Sequence, residues 1–585
     1  MKKAFLTGNE AIARGAYESG VSFASAYPGT PSTEILENIA KYPEIYAEWA
    51  PNEKVALEAA AGASMAGARA IVSMKHVGLN VAADPLFTLA YTGVNGGLVI
   101  VTADDPGMHS SQNEQDNRNF APFAKIPMLE PSDSQEAKDF IGEALKMSEM
   151  FDTPVLLRTT TRVSHSRSIV ELGKRAPHEM RPYSKNPAKY AMIPAFAKKR
   201  RWSLKERLEA LERYSEQFPF NKIEWGKNRE VGIITSGVCY QYVKEVFGDE
   251  VSVLKLSMTF PLPKKLIGDF AEKVKEIYVV EELDPYLENQ IKAMGIKVKG
   301  KELIPEIGEL SPEILREKLK GEKSAAGFSP YPQLPSRPPV LCPGCPHRGV
   351  FYVLKKMKAA VVTSDIGCYS LGVLPPLESL DSLLCMGASI SMGHGFKKAL
   401  EAGGKDDIVI TVIGDSTFLH SGITSLMDAV YNRSNTVNII VDNSTTAMTG
   451  HQHHPGTGYN AKEEPAPAVS LEAVCRALGV ENVAVVDSYD LRAVEKAVKD
   501  AMNCKNGPSV IIARRPCALL KGKGPTGLYA VKEEKCRKCK ACLRLGCPAL
   551  QVKDGGVFIN PLSCTGCSVC AQVCTFGAIK KVGDE

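Results

Sequence analysis

Apolar residues along the first 165 positions come in short β-branched runs separated by stretches with helical spacing. Ala70-Ile71-Val72-Ser73-Met74, Gly97-Leu98-Val99-Ile100-Val101-Thr102 and Pro154-Val155-Leu156-Leu157-Arg158 are nearly unbroken apolar segments of strand length. A strand covered on both faces reads as such a run, and strands alternating with helical patterns build a doubly wound parallel α/β sheet. The alternation returns at about 228–320, opening on Glu230-Val231-Gly232-Ile233-Ile234-Thr235. It returns again at 342–520, where Ile408-Val409-Ile410-Thr411-Val412-Ile413 and Val437-Asn438-Ile439-Ile440-Val441 are expected strands. The reading is therefore an α/β domain at 1–165, a connector at 166–227, a second α/β domain at 228–320, a proline-rich linker at 321–341, a third α/β domain at 342–520 and a cysteine-rich α+β tail at 531–585. The connector is basic and irregular. Its Lys198-Lys199-Arg200-Arg201 admits a nucleic-acid patch, but a solvated connector is the preferred reading.

Composition narrows the class without changing it. At 585 residues, with 44% hydrophobic and 23% charged positions, the chain has the make-up of a multidomain globular protein. A net charge of +5 is too small for this length to point to nucleic acid. No run reaches the ~18 apolar residues of a membrane span, and Met1-Lys2-Lys3-Ala4-Phe5-Leu6 opens no apolar h-region, so neither a membrane segment nor a secretory signal is expected. Sixteen cysteines, mostly clustered, suit ligands in a reducing cytoplasm better than a disulfide scaffold.

The tail carries the sharpest chemical signal. Cys536, Cys539, Cys542 and Cys547, followed by Pro548, form one run, and Cys564, Cys567, Cys570 and Cys574 form a second. Short C-x2-C-x2-C turns bring three thiolates to one cubane, while the fourth cysteine of each run crosses to the other cluster. One [4Fe-4S] centre is thus expected on Cys536, Cys539, Cys542 and Cys574, the other on Cys547, Cys564, Cys567 and Cys570. The first run has four residues rather than three before Cys547, and Thr575 stands where proline is usual, so Cys547 is the least regular ligand. A zinc ribbon or disulfide knot is the bland alternative. Nine Lys/Arg against five Asp/Glu in 531–585 would offset the negative charge of thiolate-bound clusters.

In the third α/β domain, Gly414-Asp415-Ser416 follows one expected strand and Asp442-Asn443-Ser444-Thr445 follows the next. Ligands gather beyond the carboxyl ends of parallel strands, which puts Asp415 and Asn443 at one crevice. A carboxylate, an amide oxygen and a main-chain carbonyl are hard donors that complete an Mg2+ octahedron with diphosphate oxygens. This matches the thiamine diphosphate pattern, with Asp415, Asn443 and the main-chain oxygen of Thr445 as magnesium ligands and Gly414 and Ser416 beside them; a plain strand-end turn is the bland alternative. Met386 occupies the position of the apolar prop beneath the cofactor, or else a core position. In the first domain, a helix capped by Asn52 has an interior of small residues, and Glu53 stands nine residues before Gly62. Thiamine enzymes place a glutamate at this interval before such a glycine, and there the carboxyl would hydrogen-bond N1′ of the aminopyrimidine and support removal of the C2 proton. Glu58 is the competitor, and an exposed first-turn carboxylate the bland alternative. Ala103-Asp104-Asp105-Pro106-Gly107-Met108-His109 is expected to line the cofactor crevice. His451-Gln452-His453-His454 is read as a mobile, solvated loop rather than a metal site, for want of a carboxylate partner.

Tyr27-Pro28-Gly29-Thr30-Pro31-Ser32-Thr33-Glu34, the Glu53 helix, Gly62-Ala63-Ser64-Met65-Ala66-Gly67-Ala68-Arg69, Cys342-Pro343-Gly344-Cys345-Pro346-His347-Arg348 and Asp415 with Asn443, in this order and before a fused two-cluster tail, resemble the 2-oxoacid:ferredoxin oxidoreductases over essentially the whole chain. The irregular spacing of the first cysteine run is similar to that found in this family. The resemblance implies a pyrimidine-binding thiamine diphosphate domain at 1–165, a transketolase C-terminal-like domain at 228–320 and a diphosphate/Mg-binding domain at 342–520. It implies oxidative decarboxylation of an aryl 2-oxoacid, indole-3-pyruvate, with coenzyme A and oxidised ferredoxin, yielding acyl-CoA, CO2 and reduced ferredoxin. A smaller beta subunit would complete the enzyme, in a dimer of such pairs. Cys342, Cys345, Cys368 and Cys517 resemble the ligands of a third, proximal cluster, with ordinary buried thiols as the alternative. No motif marks a coenzyme A pocket. A non-oxidative thiamine-dependent decarboxylase and a non-catalytic electron-transfer subunit are the competing functions.

Overall fold

The computed structural model describes residues 2–322, 338–359 and 361–583, in two units at 1–333 and 334–585. The proline-rich stretch from Ser329 to Arg337 lies outside the described residues. No described helix is long and apolar enough to cross a membrane.

The first unit is built on a seven-stranded sheet. Its order is Met258–Phe260, Met128–Leu129, Val155–Thr160, Leu98–Asp104, Ala70–Lys75, Phe23–Ala26, Tyr46–Trp49. All neighbours are parallel except Met258–Phe260, an antiparallel edge. The expected apolar runs are buried along their full length because helices cover both faces. Val99 and Val101 point into one core with the helices Gly8–Glu18 and Ser134–Phe151. Leu98 and Ile100, on the alternate face, meet Glu53–Met65 and Ala83–Thr92. A second, four-stranded sheet orders as Glu276–Val280, Val231–Thr235, Ser252–Lys255, Lys222–Glu224.

The segment read as an irregular connector contains a 22-residue helix, Pro194–Ser215. Leu204 and Leu211 are buried in the two cores that flank the first sheet. Arg200, expected in a solvated basic patch, donates to the carbonyls of Tyr91 and Thr92 and to Asp152. Only a narrow stripe of this helix faces the core, so its charged majority hides the period in the sequence.

The second unit holds a six-stranded, all-parallel sheet. Its order is Ser382–Leu383, Val361–Ser364, Val409–Gly414, Thr436–Asp442, Ser509–Arg514, Val483–Asp487. The cysteine-rich tail adds two antiparallel pairs, Tyr529–Val531 with Ile579–Lys581 and Leu550–Lys553 with Gly556–Ile559. It does not hang free of the sheet domain. Leu545, Leu550, Ile559, Val569 and Val573 belong to the same buried cluster as Val350, Phe351, Leu491 and Val494. Arg348 reinforces the join by donating to the carbonyls of Leu545, Leu341 and Cys342.

Candidate active site and cluster ligands

Asp415 opens a short helix where the Val409–Gly414 strand ends, and it is buried. The Ser416 amide donates to its Oδ1 at 2.9 Å and the Ser444 amide to its Oδ2 at 2.8 Å. His454 Nε2 also lies 3.2 Å from Oδ2. Burial works against ionisation, but the charge and hydrogen bond of His454 outweigh it and hold the carboxyl below its ordinary range. The tract around His454 is therefore not the solvated loop expected from sequence, because His454 and Gln452 are both buried. The missing carboxylate partner is Asp415 itself.

Asn443 follows the next strand over and is buried beside it. Its Oδ1 accepts from the Thr445 amide at 3.3 Å, and its Nδ2 lies 3.4 Å from His347 Nε2. Ser444 between them adopts a φ of 59°, which turns the chain sharply enough to send its amide to Asp415. Burial pulls the His347 imidazole down to about 4, leaving it neutral. Gly414 is held to a glycine by Tyr369, since a β-carbon there would lie 2.5 Å from the ring. Thr446 Oγ1 donates to Ser416 Oγ at 3.0 Å, tying the two strand ends together. The Met386 carbonyl accepts from Ser421 Oγ at 3.1 Å. The following turn is fixed by Asp365, which takes the amides of Ile366, Gly387 and Ser389. Neither Asp365 nor His347 takes a role from sequence, where His347 stands only within the C-P-G-C-P-H-R motif, and a polar residue at a strand end is a weak signal.

In the first unit, Glu53 is the first residue of Glu53–Met65 and is buried. Asn52 caps the helix by accepting from the Val55 amide at 2.9 Å. A β-carbon on Gly78 would stand 2.7 Å from the Glu53 carboxyl, so the glycine gives that carboxyl its room. Glu58, the competing residue, is exposed and paired with Lys54. Asp104, expected to line a crevice, is instead buried against Arg158, with its Oδ2 accepting at 2.7 Å.

The cysteines group in fours. Burial, then the charges of Cys567, Cys547 and Cys564, push the Cys570 thiol up to about 12. These four also line one cavity, together with Cys345 and Arg348. Burial and the charges of Cys574, Cys539 and Cys536 likewise raise Cys542. Cys570 thus has Cys547, Cys564 and Cys567 as charged neighbours, and Cys542 has Cys536, Cys539 and Cys574. A third group forms in the same way. Cys345 is pushed up to about 12 by burial and by Cys368 and Cys342, and Cys368 to about 11 by burial and by Cys517 and Cys342. Among the described residues no three His, Cys, Asp or Glu side chains close around a single ion.

Residues 14–205 match the family model for pyruvate flavodoxin/ferredoxin oxidoreductases, thiamine diphosphate binding. Residues 365–513 match the C-terminal binding domain of thiamine pyrophosphate enzymes, and 557–580 match a 4Fe-4S binding domain. The chain is 43% identical to the indolepyruvate oxidoreductase subunit IorA of Pyrococcus horikoshii, over 99% of this chain and 97% of the relative. It is 43% identical to the subunit of that name from Methanothermobacter thermautotrophicus, over 99% and 98%. It is 44% identical to that of Archaeoglobus fulgidus, over 99% and 97%. With thiamine diphosphate and iron–sulfur domains joined in one polypeptide and relatives matching from end to end, the chain belongs to the indolepyruvate oxidoreductase IorA family of thiamine diphosphate-dependent 2-oxoacid oxidoreductases.

Proposed function

We propose that this chain, together with a smaller partner subunit, oxidatively decarboxylates aryl 2-oxoacids of the indole-3-pyruvate type. The 2-oxoacid carboxylate leaves as CO2, the acyl carbon forms a thioester with coenzyme A, and the thiol proton is released. Two electrons pass one at a time to ferredoxin. Bound thiamine diphosphate supplies the carbanion chemistry that breaks the C1–C2 bond. Glu53 would hold N1′ of its aminopyrimidine and exchange a proton there. Asp415, Asn443 and the Thr445 carbonyl would hold Mg2+ on the diphosphate, with Gly414 and Ser416 beside it and Met386 as the apolar prop. The amides on Asp415 and its His454 partner favour this, because they keep the carboxyl ionised and aimed.

The observation that carries the oxidative half is the grouping of twelve cysteines into three sets of four. In this reading Cys342, Cys345, Cys368 and Cys517 hold the first acceptor, and the half-buried Cys547, Cys564, Cys567 and Cys570 set the second. The Cys536, Cys539, Cys542 and Cys574 set is the exit, since Cys539 is exposed among Arg537, Lys538 and Lys540. A non-oxidative decarboxylase has no use for such a chain of acceptors.

The test is turnover of the two-subunit enzyme on a panel of indole-3-pyruvate, phenylpyruvate, pyruvate and 2-oxoglutarate, with ferredoxin reduction as readout. The aryl acids should give the highest kcat/KM. CO2 release without ferredoxin reduction, or a preference for 2-oxoglutarate, would overturn the reading. Iron content tests the third cluster. Anaerobically reconstituted chain should hold about twelve iron atoms, and the double variant Cys368→Ala, Cys517→Ala about eight, at four per cubane.

A further inference from the structure

Lys75 ends the Ala70–Lys75 strand and is 8% exposed. An ammonium has three donors, and here Nζ uses one, to the Ser110 carbonyl at 2.7 Å. Among the described residues no carboxylate lies within ion-pair distance of it. Asp105, the acid that acts on it, is already engaged by the Ser110 amide, Ser111 Oγ and Thr161 Oγ1. The adjacent His76 adds no second positive charge, because burial pulls it down to about 4. A buried cation with spare donors and no anion in direct contact is costly to keep, and such groups collect where a ligand completes them.

Its surroundings say which ligand. A β-carbon on Gly29 would lie 2.9 Å from the Lys75 β-carbon, so the Tyr27-Pro28-Gly29-Thr30 loop rests on this lysine. Three residues on, Gly78 abuts the Glu53 carboxyl at the distance given above. Lys75, the loop and Glu53 therefore share one wall beyond the carboxyl ends of the strands, where an open parallel sheet receives its ligand.

We propose that Lys75 is the carboxylate anchor for the 2-oxoacid, its two spare Nζ donors taking the oxygens of the group that will leave as CO2. This rests on the reading of the chain as a 2-oxoacid oxidoreductase with Glu53 at the cofactor. The contact is non-covalent and recognises what all 2-oxoacids share, leaving discrimination of the side chain to other residues. It also fixes the C1–C2 bond that breaks. Once CO2 is gone the anchor holds nothing, so the acyl product is not retained by it.

The experiment uses the two-subunit enzyme and two probes, 3-phenylpropionate and its uncharged amide, titrated by calorimetry. Wild type should prefer the carboxylate. Lys75→Met should weaken carboxylate binding by about 10- to 100-fold, as for a charged hydrogen-bond donor lost, with the amide unchanged. The 2-oxoacid KM should rise by the same factor, more than kcat falls, and Lys75→Arg should recover part of the loss. The unmodified enzyme gives a second measurement that does not depend on a variant folding. Burial pulls Lys75 down to about 8 against the opposing charge of Asp105, with His76 neutral throughout. Carboxylate affinity should therefore fall as pH rises past about 8, and amide affinity should not. Carboxylate binding unchanged in Lys75→Met, or a 2-oxoacid trapped on Lys75 by borohydride as a reduced imine, would overturn the proposal. Absence of 2-oxoacid-dependent ferredoxin reduction by wild type would refute the underlying reaction instead, while the titrations still decide the anchor.

Discussion

Asp415 and Glu53 are both buried carboxylates at the first turn of a helix, and different neighbours shape the space around each. Asp415 is gripped: two main-chain amides and an imidazole fix its oxygens. Glu53 is given space, by a glycine at its carboxyl and a helix whose buried residues include Ala56, Ala60 and Ala61. The difference follows from the proposed tasks. A magnesium ligand must stay ionised and point one way, which hydrogen bonds to the charged form provide. A carboxylate that meets a ring nitrogen of a bulky cofactor needs close approach, which small neighbours provide.

Four variants break or sharpen that contrast. The largest effect is expected for Asp415→Ala, where a methyl group replaces the proposed magnesium ligand. Magnesium-dependent binding of thiamine diphosphate, followed by titration with and without a chelator, should be lost. Glu53→Gln should keep the cofactor but lower turnover by ~10²-fold, the scale of a lost acid–base contact. A variant that binds cofactor normally and turns over at the wild-type rate would remove Glu53 from the chemistry. Gly78→Ala probes the space itself. The added β-carbon should push the Glu53 carboxyl aside and cost roughly 10- to 100-fold in kcat, because small misplacements are expensive in a preorganised site. Alanine is the better helix former by about 0.5–1 kcal/mol, so any loss of thermal stability there reports the displaced carboxyl rather than the helix. The smallest effect should come from His454→Gln, which acts on the metal ligand through its neighbour. Without His454 the Asp415 carboxyl loses the main influence holding it down, so its pKa rises. Cofactor affinity should drop about tenfold, as for other groups that support a metal ligand. The deficit should widen as pH falls, when protons compete with magnesium for the carboxylate, and narrow as pH rises.

Local chemistry made much of this legible in advance. The strands at Ala70, Leu98, Val155 and Val409 announced themselves as apolar runs because a sheet covered on both faces leaves no polar alternation. The helix at Glu53 was visible through its Asn52 cap, which acts within four residues. The helix Pro194–Ser215 was not, since two leucines suffice to dock it and the remainder is charged. The tail read as a separate domain because its cysteine spacing is self-contained. Nothing in that spacing reveals that its apolar residues complete the core of the neighbouring sheet domain.

By itself the sequence determined which groups this protein has to work with: the cysteine runs, the two strand-end motifs and the capped helix, all defined by residues a few positions apart. Tertiary structure alone decided their company. His454 meets Asp415 across 39 residues, Arg348 reaches Leu545 across 197, and Lys75 is left buried with a single carbonyl from Ser110. Burial and distant neighbours set the charge of a group and which of its donors are still free, and both arise only when segments far apart in the chain are packed together, where no local pattern records them.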